Sequence, residues 1–147
     1  MPQPPNAIAL LTAVHREIDA LFEQFEVATP ERQLALKAPI CAAIASHQAL
    51  EQQVFYPAVS AVLDTAELID VAVVERMTTE FLLEHIADPA MSPEMLRAHM
   101  TVLREHFAHH AEMEERQIFR RVRGSDLDLE ALGARMQAFV ARPGYLV

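Results

Sequence analysis

The sequence predicts an all-α protein: an up-down-up-down four-helix bundle with an additional short C-terminal helix. Three observations predict it. Apolar residues recur at alternating steps of three and four, as in Leu11, Val14, Ile18, Leu21 and Phe25, which is the period of a helix face. Only three glycines occur in 147 residues, and threonine, isoleucine and tyrosine are few. Proline and capping residues cut the chain into four long stretches and a shorter fifth, with connections too short for anything but neighbouring helices.

The first helix is expected from about Asn6, an N-cap after Pro4-Pro5, to about Ala28. Thr29-Pro30 reads as a cap followed by the first helical residue of the second helix, because a proline there gives up an amide that has no partner anyway. That helix is expected to reach about Leu63, with a kink or break near Pro39. The third starts at Asp64-Thr65 and stops before Pro89. Ser92-Pro93 repeats the cap and proline to open the fourth, which ends before Gly124, and a last helix follows from about Ser125 to Arg142. All of 1–147 reads as one domain, with the bundle over about 7–122 and the C-terminal helix over about 125–142.

Composition narrows the function. Half the chain is hydrophobic (52%) without low-complexity tracts, so it can bury a sizeable core. Against 12 basic residues stand 21 acidic ones, and a formal charge of −9 opposes nucleic acid and anionic membranes. No apolar run approaches the roughly 20 residues that span a bilayer. The single cysteine, Cys41, has no internal disulfide partner and reads as a small core residue; the start MPQPPNAIALL lacks the pattern of a secretion signal. A cytoplasmic protein is the expectation.

The chemistry lies in a repeated motif. His-x-x-x-Glu occurs at His47/Glu51 and again, 63 residues on, at His110/Glu114, each followed by apolar and aromatic residues (Phe55-Tyr56, Ile118-Phe119). Residues four apart stack on one helix face, so each motif aims an imidazole and a carboxylate at one point. Two such helices facing each other present two nitrogens and two carboxylates, a ligand mix that suits iron or manganese better than structural zinc. One such motif alone is most often a surface pair. Here the fourth helix also carries Leu96, His99, Leu103, His106, His110 and Glu114 along one stripe, and ionisable groups in an apolar stripe need compensation, which a cation provides. On the first helix, His15 sits beside Leu11 and Ile18 at the edge of the apolar side.

His15, His47-x-x-x-Glu51 with the trailing Val-Phe-Tyr-Pro, Glu84-His85, and His110-x-x-x-Glu114-Glu115 with Ile-Phe resemble, in that order, the haemerythrin-like, HHE cation-binding family. The resemblance covers about residues 7 to 122. It implies a four-helix bundle around two iron ions, with manganese as an alternative, joined by an oxo or hydroxo bridge. The ligands it implies are His15, His47, Glu51, His85, His110 and Glu114, the glutamates bridging and the histidines capping. The function it implies is binding or reduction of a small oxidant: oxygen, peroxide or nitric oxide. The alternative is a metal- or oxygen-sensing or iron-handling module without turnover. The partner is then a small diatomic or peroxide ligand, with no nucleic acid or membrane and with a homo-oligomer left open.

The third helix departs from the family pattern. The 63-residue repeat places the partner of His15 at Thr78, and His85 lies seven residues further, about 10 Å along the axis. His85 shares a stripe with Val71, Val74, Thr78 and Phe81, which reads as inward-facing. A sliding of the third helix would bring it to the metals, and His106, one turn before His110, is its rival. Tyr56, five residues after Glu51, either lies close to the ligands or packs at the bundle end beside Pro57, the second being favoured.

Overall fold

A computed structural model describes residues 6–142; Pro4-Pro5 lies outside them. Every regular element among the described residues is helical. α1 spans Ala7–Val27, α2 Pro30–Leu50, α3 Tyr56–Val62, α4 Ala66–Ile86, α5 Pro93–Met113, α6 Phe119–Arg123 and α7 Leu129–Val140. Two π-helical turns interrupt the series: Glu51–Phe55 joins α2 to α3, and Glu114–Ile118 joins α5 to α6. The expected second and fourth helices are therefore continuous rods, each with one wider turn.

The helix starts follow from side chains that satisfy free amides. Asn6 Oδ1 accepts from the Ile8 and Ala9 amides at 2.9 and 3.3 Å, Thr29 Oγ1 from Arg32 at 3.3 Å, and Ser92 Oγ from Met95 at 3.2 Å. The last helix begins later than expected. Asp128 Oδ1 takes the Ala131 amide at 3.0 Å as its cap, while Ser125 Oγ is engaged with the Val122 carbonyl and the Leu127 amide. α2 runs through Pro39 without a break; Pro39 and Ala35, whose carbonyl loses its helical donor, are both exposed, so that carbonyl is open to solvent.

α1 packs on α2 and α5, and α4 packs on α5 and α2, while α7 lies against α1. The enclosed apolar residues form two clusters. One gathers Leu11, Leu50, Phe55, Phe119, Leu132 and Met136; the other gathers Ile18, Phe22, Ile40, Ile44, Leu103 and Phe107. Cys41 is half-buried against the second cluster, and burial raises its thiol pKa. No helix among the described residues is long and apolar enough to cross a membrane.

The face of α4 is the clearest correction. Val71, Val74, Thr78, Phe81 and His85 were expected inward; all five are exposed, and Ala72, Thr79 and Ile86 are buried instead. α4 is apolar on more than one side, so its periodicity left two stripes to choose between. The buried stripe is the one carrying small residues beside the polar interior. On α5 the buried line is likewise Leu96, Met100, Leu103, Phe107 and Ala111, with His99 and His106 half-buried at its border.

These assignments separate two substitutions of similar composition. Leu103→Ala should destabilise the protein by about 2–5 kcal/mol through loss of buried contacts and the cavity left behind. Phe81→Ala, at a site 59% exposed, should stay within about 1 kcal/mol. Urea denaturation of both variants checks the pair, and a large loss in Phe81→Ala would contradict the outward face.

Candidate metal centre

On each long helix the polar interior residues fall where one apolar cluster gives way to the other. α1 places His15 between Leu11 and Ile18; α2 carries His47 after Ile44, and Glu51 opens the first π turn. α5 carries His110 after Phe107, and Glu114 opens the second π turn. The two His-x-x-x-Glu motifs thus end at matching wide turns. In each turn the amide five residues on, of Tyr56 or Phe119, donates to the glutamate carbonyl. Such a turn re-aims the residues that follow without ending the helix.

His15, His47, Glu51, His110 and Glu114 offer ligand atoms that all lie within 4.8 Å of one another. All but His110 are fully buried, and His110 is 12% exposed. The three imidazoles turn the same nitrogen inward. His15 Nε2 lies 3.0 Å from Glu114 Oε1 and 3.2 Å from His47 Nε2; His110 Nε2 lies 3.1 Å from Glu51 Oε1 and 3.5 Å from Glu114 Oε2. His47 Nε2 stands 3.5 Å from Glu51 Oε1. Phe119 stacks on the His15 ring at 6.1 Å, and Phe107 meets His15 and His47 edge-on. Phe119, which trails the second motif, and Phe107, which precedes it, therefore wall the group.

Outside this inner set, Glu115 Oε2 accepts from His15 Nδ1 at 3.1 Å, and Arg16 holds its other oxygen at 2.9 Å. Tyr56 does lie close to the motif residues: its hydroxyl donates to Glu114 Oε2 at 2.6 Å. Beside the group, between α2, α4 and α5, is a cavity of about 40 Å³ lined by His47, Glu51, Tyr56, Glu75, His106 and His110 among others. That space admits a ligand of a few atoms, since one water needs about 10–15 Å³ by the same measure.

Hydrogen bonds do not satisfy the group. Glu51 Oε2 and Glu114 Oε1 are buried without hydrogen-bond partners. His15 Nε2, although within 3.0 Å of Glu114 Oε1, makes its hydrogen bond with His47 instead. Orphaned carboxylate oxygens facing convergent imidazole nitrogens are the complement of a cation, and the buried His/Glu group can hold a metal ion. Protonation compensates only in part. Burial lowers the His47 pKa to about 3, outweighing Glu114, and lowers His110 as well. Burial, with Glu114 adding repulsion, raises Glu51 well above the carboxylate range. Burial pushes Glu114 up too, yet its close approach to Glu51 and His15 and the nearby His110 and His47 imidazoles hold it low. The two carboxyls are thus pushed apart, Glu51 towards holding a proton and Glu114 towards losing it.

His85 does not join the five. It is exposed, donates from Nδ1 to the Phe81 carbonyl at 2.8 Å, and stacks near His99 at 6.0 Å. His106 does not replace it, because its Nε2 donates to the Glu75 carbonyl at 2.9 Å. α4 instead turns Glu75 to the group, with Oε2 at 3.9 Å from His110 Nδ1. Glu75 escaped the sequence reading because it belongs to neither a His-x-x-x-Glu motif nor an apolar stripe, and Glu115 because next to Glu114 it has no spacing signal of its own. No protein-family model, curated protein or solved structure matches the chain.

The perturbed groups set a pH dependence for the metal-free protein. Below the ordinary imidazole value of 6.5 the unfolded chain takes protons on His47 and His110 that the folded chain refuses, so stability should fall as pH drops from 6.5. Glu51 has the opposite sign: above 4.5 the folded chain holds a proton that the unfolded chain has lost, so its contribution declines as pH rises. Metal-free Glu51→Gln, which cannot lose that proton, should therefore gain on wild type as pH rises from about 5 to 8. Denaturation in the presence of a chelator measures the difference, and a constant one would contradict the raised pKa of Glu51.

Proposed function

We propose that the buried group holds two iron ions, with manganese compatible, and that the protein binds or reduces a small oxidant such as oxygen, peroxide or nitric oxide. The observation that carries this reading is the convergence of three imidazole Nε2 atoms and two carboxylates inside one apolar core, next to a cavity sized for a few atoms. The resemblance of the two His-x-x-x-Glu motifs to the haemerythrin-like family supports it. So do the short connections between long helices, which favour an up-down-up-down order.

In this reading Glu51 and Glu114, which come from different helices and each offer two oxygens, would hold the two ions between them, and His15, His47 and His110 would hold them through Nε2. The cavity beside these residues would admit the small ligand. Bound iron would supply Lewis acidity and electrons there. The chain's own residues do the rest. Tyr56 fixes the orientation of Glu114 through its hydroxyl, Phe107 and Phe119 keep bulk water from the imidazoles, and Arg16 with Glu115 holds His15 in place. The unsatisfied carboxylate oxygens also favour a second reading, in which metal occupancy switches stability or partner choice without turnover.

Protein reconstituted with ferrous iron should hold close to two iron atoms per chain by elemental analysis. Glu51→Ala or Glu114→Ala should lose both; one full equivalent retained in either variant would contradict the bridging role. His85→Ala should keep full iron content, because His85 lies apart from the group. Consumption of added peroxide, with a change in visible absorption, supports oxidant chemistry. Full loading without consumption of any of the three oxidants, together with a higher melting temperature on loading, selects the switch instead.

A further inference from the structure

We propose that Glu75 of α4 is a positioning residue for His110, the counterpart of Glu115 at His15; this rests on the reading of the buried group as a metal centre. The two histidines are set alike. Each turns Nε2 to the shared centre and Nδ1 outward, and an imidazole that binds a cation through one nitrogen donates from the other, normally to a carboxylate or carbonyl that fixes its tautomer and ring plane. For His15 that acceptor is Glu115 Oε2 at 3.1 Å.

For His110 the carboxylate facing Nδ1 is Glu75 Oε2, at 3.9 Å. This oxygen is buried and has no hydrogen-bond partner, and the Glu75 side chain is 14% exposed. The gap is about 1 Å longer than a charge-assisted hydrogen bond. A rotation of the carboxylate spans that, and the backbone need not move. It is already pinned, because His106 Nε2 donates to the Glu75 carbonyl at 2.9 Å and ties α4 to α5 at this level. A cation on Nε2 withdraws electron density from the ring and makes Nδ1–H a stronger donor, which draws the carboxylate in. Glu75 acts through His110 and is not itself a ligand, since it faces the nitrogen directed away from the other four residues.

Glu75 also adds a negative group beside Glu51 and Tyr56 along the cavity wall. Without a cation it is a third carboxylate with an unpaired buried oxygen, so its effects on the empty and loaded proteins have opposite signs. A packing role would give the same sign in both.

The test compares wild type, Glu75→Ala and Glu75→Gln as full chains, with ferrous iron for stoichiometry and chelator competition and with cobalt(II) as a spectroscopic probe. Glu75→Ala should reach full metal content at saturation, bind about 10–100-fold more weakly and shift the visible cobalt bands. Glu75→Gln, whose amide oxygen can still accept from Nδ1, should recover part of the affinity. Metal-free Glu75→Ala should melt no lower than metal-free wild type. Loss of a metal equivalent would make Glu75 a ligand and overturn the proposal, as would unchanged affinity and spectrum, or equal destabilisation of empty and loaded protein. Failure of wild type to take up metal would overturn the centre itself, whereas wild-type uptake matched in full by Glu75→Ala would overturn only the role of Glu75.

Discussion

Five side chains that would each prefer water are enclosed where two apolar clusters meet, and the rest of the structure is arranged around that demand. His15, His47, Glu51 and Glu114 cannot be hydrated in place, and the hydrogen bonds among them leave carboxylate oxygens unmatched. Desolvating such groups without full compensation removes several kcal/mol of stability by general estimates. The aromatic rings of Phe107 and Phe119 and the apolar clusters on either side hold the group together despite this. Burial opposes protonation of His47 and His110, while it favours a proton on Glu51 beside a Glu114 that is held low, and both trends reduce the net charge that is buried.

Much of this was legible in the residues. The spacing of four within each motif is enough to stack an imidazole over a carboxylate on any helix, and the apolar residues after each glutamate mark that stretch as interior. His15 was readable because Leu11 and Ile18 flank it at steps of four and three. The caps at Asn6, Thr29 and Ser92 were readable because each pairs a short polar side chain with a helix start.

The losses have physical causes as well. α4 carries valine, methionine and phenylalanine on a face that the chain leaves exposed, so hydrophobic periodicity pointed the wrong way and took His85 with it. The interior face of α4 is marked by a glutamate and a threonine, Glu75 and Thr79, which no apolar pattern selects. Exposed apolar residues are common and weakly informative, whereas a buried polar one reports an environment that only tertiary contacts reveal. The π turns were invisible for another reason: one extra residue per turn leaves no compositional trace in EQQVF or EERQI.

Those turns make the length of the chain part of the site. A π turn takes up one more residue than an α turn over nearly the same rotation and rise, so a single-residue deletion within Glu51–Phe55 that restored an ordinary α turn would leave the helix beyond it nearly in phase. His47 upstream and Tyr56 downstream would keep their places, and the change would fall on the turn that begins at Glu51. Gln52 and Gln53 are exposed and touch none of the five buried groups' hydrogen bonds, yet they act as spacers whose number, more than their chemistry, makes the turn after Glu51 a wide one. Substitution and deletion at these positions are therefore different events: the first changes a wet surface, and the second removes the wide turn that Glu51 opens.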